Sequence, residues 1–189
     1  MADARLTLTK IRSLGDYASN FRWIIGFPSD MVSTLLGNVG GGSVADGTYN
    51  ALCETTTIPF KQNAKMDVAI RGHHHFQPGI TTVGGPIQMS FAETVNNHVT
   101  ALLYGWQEAI WGQDRGIARS KYAFEGIQLS RLDSYDAIIC VYTLEYVFME
   151  SFTPPNLDGT TSGPLTMSCT LSYDDYHVDM FSPSQQTQI

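Results

Sequence analysis

Strict alternation of apolar and polar residues constrains this chain more than any other feature. Leu165, Met167, Cys169, Leu171 and Tyr173 alternate with Thr166, Ser168, Thr170 and Ser172. A period of two puts one set on each face of an extended strand. One face is apolar and the other carries only hydroxyls, so the pattern predicts a half-buried strand. Phe21, Trp23, Ile25 and Phe27 share a parity in the same way. So do Met66, Val68 and Ile70, between Lys65, Asp67, Ala69 and Arg71. Each set is expected to turn one face to a core and the other to water.

Two longer strands are expected over 121–132 and 137–148, joined by a turn at Asp133, Ser134, Tyr135 and Asp136. The second is apolar on nearly both parities. Ile138, Cys140, Tyr142, Leu144, Tyr146 and Phe148 form one face, and Ile139, Val141 and Val147 sit on the other. Such a strand is covered on both faces, by a helix, a second sheet or another subunit. A single helix is expected after Ser90 and Glu93, which have capping-box spacing. Its stripe is Phe91, Val95, Val99, Leu102, Leu103, Trp106 and Ile110, with Gly112 as its stop. Strands, one helix, then strands predict an antiparallel sheet or barrel carrying a helix, not alternating βαβ units.

The 189 residues fit one domain over 1–189. The glycine-rich 36–50 and the stretch 72–86 are expected to be long loops, and 182–189 a flexible tail. The opening 17 residues lack the continuous apolar segment of a signal peptide, and the longest apolar run, at 137–142, is too short to span a bilayer. Only 15% of residues are charged, and the net charge is −7. That balance argues against tight binding of nucleic-acid phosphates or an anionic membrane. It also implies a hydroxyl-rich surface, or surface buried against partners.

Nothing in the chain builds an active site. The glycines at 40–42, with Ala45, match a dinucleotide fingerprint only on paper, because Gly47 follows where a helix should open. Cys53, Cys140 and Cys169 form neither a CxxC pair nor a disulfide framework and read as small buried hydrophobes. The pairs Asp133/Asp136 and Asp174/Asp175 fall in a turn and at a strand end, where acids are solvated. His73, His74 and His75 are the one cluster that suggests a metal, but a strand would put only His73 and His75 on one face. A polar loop is the simpler reading, and a protonation-sensitive contact between subunits is another.

Several segments, in order, resemble the tail tube proteins of contractile-tailed bacteriophages, the group typified by phage T4. They are NFRWIIG at 20–26, CETTTIP at 53–59, PIQMSF at 86–91, LYGW at 103–106, IQLSRLD at 127–133, VYTL at 141–144 and SYDDY at 172–176. The enlarged 36–50 stretch and the histidine triplet depart from the family pattern. The resemblance implies an antiparallel β-barrel or sandwich with one packed helix, assembling as homo-hexameric rings that stack into a tube. It implies a non-catalytic virion protein without cofactor or metal, assembled in the bacterial host cytoplasm. Its implied partners are a sheath protein, a baseplate initiator and a tail terminator, with genomic DNA and a tape-measure protein passing through the channel. Tube initiators and secretion-system tubes share that fold; a small metal-binding barrel centred on the histidines is the rival of a different class. On this reading Thr166, Ser168, Thr170 and Ser172 face the channel or another solvated barrel face, and the long loops make ring-to-ring contacts, ordering only there.

Overall fold

A computed structural model of the chain describes residues 19–42, 44–45, 47–111, 123–158, 160 and 162–181. The expected segments at 1–17 and 182–189, the helix stop at Gly112 and the start of the 121–132 strand lie outside them.

Among the described residues, ten strands and three helices follow in order. They are β1 (Trp23–Gly26), α1 (Ser29–Asn38), α2 (Thr48–Leu52), β2 (Cys53–Thr56), β3 (Lys61–Ile70), β4 (His73–Val83), β5 (Ile87–Ala92), α3 (His98–Trp111), β6 (Ile127–Leu132), β7 (Ile138–Glu145), β8 (Phe148–Thr153), β9 (Thr166–Ser172) and β10 (Asp175–Met180). Every strand pairing is antiparallel. The strands make two four-stranded sheets, β1-β6-β7-β10 and β2-β5-β9-β8, and a separate hairpin, β3-β4. The mainly antiparallel β fold with packed helices is as expected. Among the described residues the sheets do not close into a barrel, so each keeps two edge strands.

The core lies between the inner face of the second sheet, the two longer helices and one end of the first sheet. It gathers Met89, Phe91 and Leu171 from the second sheet, Leu144 from the first, and Leu35 and Trp106 from the helices. Trp106 meets Phe124 edge-on at 5.8 Å, a favoured aromatic geometry.

The expected 137–148 strand is two strands. At Tyr146 the backbone turns to φ 51°, which breaks the ladder, and Val147 bridges to Phe124. The chain thereby leaves the first sheet as β7 and enters the second as β8. The inward face changes at this crossover, which places Val147 and Met149 inside; Ile139 and Val141 precede it and are half-buried on the other parity of β7. The turn between β6 and β7 is as expected, with the Asp133 carboxylate accepting from the Tyr135 and Ala137 N–H groups.

Two helical expectations are corrected. The 36–50 stretch is not one loop, because its ends belong to α1 and α2. The glycines terminate α1: Gly40 adopts φ 67°, while the Gly41 N–H reaches the Leu36 carbonyl and the Gly40 N–H reaches Gly37. That six-to-one and five-to-two pattern is a Schellman stop. The apolar spacing of Met31, Leu35 and Leu36, all buried, was the available signal for α1. Finally, α3 begins at His98, not after Ser90. Ser90 and Phe91 belong to β5, and Val95 is 99% exposed. Val99, Leu102, Leu103 and Trp106 are the buried stripe.

Glu93 nevertheless caps the helix, from outside it. Its carboxylate accepts from the N–H groups of Val99 and Thr100 and from the Thr100 hydroxyl. Burial alone would raise its pKa, but these bonds, with a fourth from the Thr94 N–H, together hold it below the ordinary value.

Candidate assembly surfaces

Two surfaces outside the core are unusual: a hydroxyl-covered sheet face and a projecting hairpin. The first follows from the alternation in β9. Met167, Cys169 and Leu171 point into the core and are buried. Thr166 and Ser168 are exposed, and Thr170 and Ser172 are half-buried. Strand register extends this hydroxyl row across the second sheet. Thr55 pairs with Ser90, Ser90 with Ser168, and Ser168 with Thr153. One rung of four strands therefore carries four hydroxyls. The next rung aligns Gln88, Thr170 and Ser151, and Thr57 extends it by bonding to both the N–H and the carbonyl of Gln88. Thr55 and Ser90 hydroxyls lie 2.6 Å apart. Neither rung contains a charge. Beside them, Glu150 accepts from the Ser172 hydroxyl at 3.0 Å.

The hairpin corrects the expectation of a loop over 72–86. Only Arg71 and Gly72 form the turn, both with positive φ. That is the requirement of a two-residue primed turn, whose twist matches the flanking strands. Pro78 and Gly79 are residue types that strands usually exclude. They are accommodated at a register shift opposite Ala64, and in a two-stranded sheet every strand is an edge. A side chain at Gly79 would come within 3.0 Å of the Ala64 carbonyl oxygen.

The alternation of Met66, Val68 and Ile70 produced a strand but no core. Met66 and Ile70 are exposed, as are Phe76 and Ile80 on β4. Among the described residues the two strands pack extensively only on each other. At the base, the Lys61 ammonium lies 2.6 Å from Asp175 on β10 and 5.2 Å from the Tyr176 ring centre.

The histidines are the outer part of β4. Register pairs His73 with Ile70 and His75 with Val68, while His74 pairs with Ala69 and contacts the Asp67 carboxylate at 3.0 Å. The three rings therefore split between two faces. Among the described residues no group of three or more His, Cys, Asp or Glu converges to hold a metal, which corrects the metal-barrel rival. Cys140 and Cys169 are buried and Cys53 half-buried, all as free thiols. Burial pushes the Cys53 and Cys169 thiols up to about 12, so neither is poised as a nucleophile.

No protein-family model matches the chain, and no curated protein matches it. Solved structures do. A chain in the sheath/tube terminator of the PVC extracellular contractile injection system, in its extended state, superposes with a TM-score of 0.60 at 12% identity. The match covers 88% of this chain and 99% of that one. A chain of the anti-feeding prophage baseplate, 6-fold symmetrised, gives 0.58 at 10% identity over 88% and 97%. The PVC sheath-tube complex gives 0.53 at 14% identity over 93% and 99%. This chain has the tail-tube fold of contractile injection systems. Such identities establish the fold alone.

Proposed function

We propose that this chain is the structural, non-catalytic subunit of a contractile tail tube. Copies close as hexameric rings, the rings stack inside a sheath, and genomic DNA passes through the channel after the tape-measure protein leaves. The protein then belongs to the tail of a virion or virion-like particle and assembles in the bacterial host cytoplasm, between a baseplate initiator and a terminator. The single observation carrying this reading is the uncovered hairpin. A two-stranded hairpin alone in water is marginal at best, and this one exposes Met66, Ile70, Phe76 and Ile80. Among the described residues it finds no cover, and a neighbouring copy would supply one. The open edges of both sheets have the same need, since unpaired edges template further pairing and ring closure removes them.

The hydroxyl face suits the channel wall. A conduit must let a polyanion slide. Rungs such as Thr55–Ser90–Ser168–Thr153 hold no Lys or Arg to exchange for phosphate counterions, so they offer no electrostatic grip. Screening confines any repulsion to about 10 Å at ~0.1 M salt. In this reading Thr166, Ser168, Thr170 and Ser172 line the lumen. An initiator or terminator role shares the fold and is favoured by the baseplate and terminator likenesses; it would place the chain in one ring rather than many.

Electron microscopy of the purified full chain tests this. Stacked six-fold rings with the Ser168 and Thr170 rungs on the inner wall are expected. A protein that stays monomeric at every concentration would overturn the tube reading. Rings with those rungs on the outer wall would overturn the lumen assignment alone.

A further inference from the structure

Arg131 occupies the apolar parity of β6. Ile127 and Leu129 before it are buried, and the strand period puts all three on one face. Register carries that face across the first sheet. Arg131 lies opposite Trp23 on β1 and Cys140 on β7, and Leu129 lies between Ile25 and Tyr142. Ile25 and Ile127 belong to the core. Beyond them the same face borders a pocket of about 420 Å³. Trp23, Leu129 and Arg131 line it from the first sheet, Thr56 and Ile58 from β2 and the segment after it, and Arg22 from beside β1.

Outside the β3–β4 hairpin, Arg22 and Arg131 are the only Lys or Arg side chains among the described residues, and both line this pocket. Arg22 is partly engaged. Its Nη1 donates to the Asp136 carboxylate at 2.6 Å and to the Asp133 carbonyl at 3.4 Å. Among the described residues both bonds use that one nitrogen, so Nε and Nη2 remain as donors. Arg131 is half-buried and makes no ion pair among the described residues. Its neighbour is the Tyr142 hydroxyl, whose pKa is raised by burial and by the Cys140 thiol despite the guanidinium beside it. A neutral phenol can accept from an arginine, but it does not cancel the charge. An uncompensated charge away from water is costly, and an anion in the pocket would remove that cost.

We propose that this pocket binds a carboxylate carried on an apolar body, with Arg131 as the anchor. A guanidinium fork takes both carboxylate oxygens in one plane, in shorter and stronger bonds than neutral donors make. Arg22 and the Thr56 hydroxyl add donors in the same pocket. The Trp23 ring, Leu129 and Ile58 offer an apolar wall to the rest of the ligand. With Arg22 already paired to Asp136, one uncompensated guanidinium matches a monoanion better than a doubly charged phosphate. The volume falls in the range of small-molecule sites, roughly 300–1,000 Å³. The carboxylate is either a free organic acid or an Asp or Glu side chain of a neighbouring protein. The two share this chemistry and differ in whether assembly closes the site. The site stands on the free subunit's own geometry and does not depend on the tube reading.

Full-length protein, dilute enough to be free subunit, is titrated calorimetrically with 3-phenylpropionate, its neutral amide and inorganic phosphate. One phenylpropionate per chain is expected. The amide and phosphate should bind about tenfold more weakly or worse, since neither presents a singly charged carboxylate to the fork. Arg131→Gln should lose about tenfold in affinity or more, and Arg131→Lys should recover part of it, because an ammonium keeps the charge but not the fork. Ile58→Glu, at a position 48% exposed, should keep the parent's denaturation midpoint and also weaken binding, by placing a competing carboxylate at the pocket. It carries the test should Arg131→Gln fold poorly. The same titration on assembled protein separates the two sources. Binding to both forms identifies a free organic acid; binding to the free subunit alone identifies a neighbour's side chain. Absence of binding to the free subunit, equal binding of the amide or phosphate, or undiminished binding by either Arg131→Gln or Ile58→Glu would overturn the site and leave the tube reading standing.

Discussion

Strands β9 and β3 carry the same alternation and meet opposite fates. In β9, Met167, Cys169 and Leu171 are buried, with Leu171 fully shielded. In β3, Met66 and Ile70 lie open, Ile70 at 62% exposure. The difference is their neighbours. β9 sits between β5 and β8 with α3 packed over its inner face, whereas among the described residues β3 has only β4. Alternation encodes a strand and its two faces; it does not encode what covers the apolar one. In the proposed tube a neighbouring copy supplies the cover that the described residues do not.

Substitution in the two strands should therefore read out in different measurements. Leu171→Ala removes a shielded core side chain and should destabilise the isolated subunit by about 2–5 kcal/mol, seen as a lower denaturation midpoint. Ile70→Ala should leave that midpoint nearly unchanged and impair assembly. Equal loss of subunit stability in both variants would erase the distinction drawn here.

Gly105 sharpens the comparison on the core side. A Cβ there would lie 2.1 Å from the Leu35 carbonyl oxygen. The α1–α3 crossing is that close, and the Asn38 amide donates to the Gly105 carbonyl across it. Gly105→Ala should push the helices apart at a cost of about 1–3 kcal/mol. The hairpin has no comparable position except Gly79, where Gly79→Ala would disturb the bulge and spare the core.

A smaller effect is expected at Glu93. Replacing it with Gln removes the charge from several N–H bonds at the start of α3, an effect of about 0.5–2 kcal/mol for a cap. The sign with pH follows from its depressed pKa. The contribution is full above the unfolded value of about 4.3 and is lost as pH falls through the lower folded value. Acid titration of stability should therefore be shallower in Glu93→Gln than in the parent. Parallel curves would show that the carboxylate contributes nothing as an anion.

Much of this was legible beforehand, for identifiable reasons. The hydroxyl row of β9 was explicit, since two residue classes alternated without interruption. Its continuation through Thr55, Ser90 and Thr153 was not, because register between distant strands is set by tertiary pairing. The helix stripe from Val99 to Trp106 was readable. Its start was misplaced because β5 ends in residues that fit a capping box, and Glu93 does cap, though from a loop. α1 was hidden by the glycines that end it. β4 was hidden by three consecutive histidines, which have no hydropathic period, and by Pro78 and Gly79.

The weakest effect on the folded body should come from the joint between the two regions. Lys61 is bonded to Asp175, which raises the pKa of the one and lowers that of the other. Both groups face water, so the pair is screened and adds little to global stability. Its effect should be local, because it ties the first residue of β3 to β10 and limits the hairpin's swing. Lys61→Met should leave the denaturation midpoint in place and speed amide exchange along 61–83 in the free subunit. The parent hairpin should exchange slowly only once assembled, when a neighbour covers it. Equal protection of 61–83 in free and assembled protein would mean that the hairpin finds its cover within its own chain, and the contrast between β3 and β9 would dissolve.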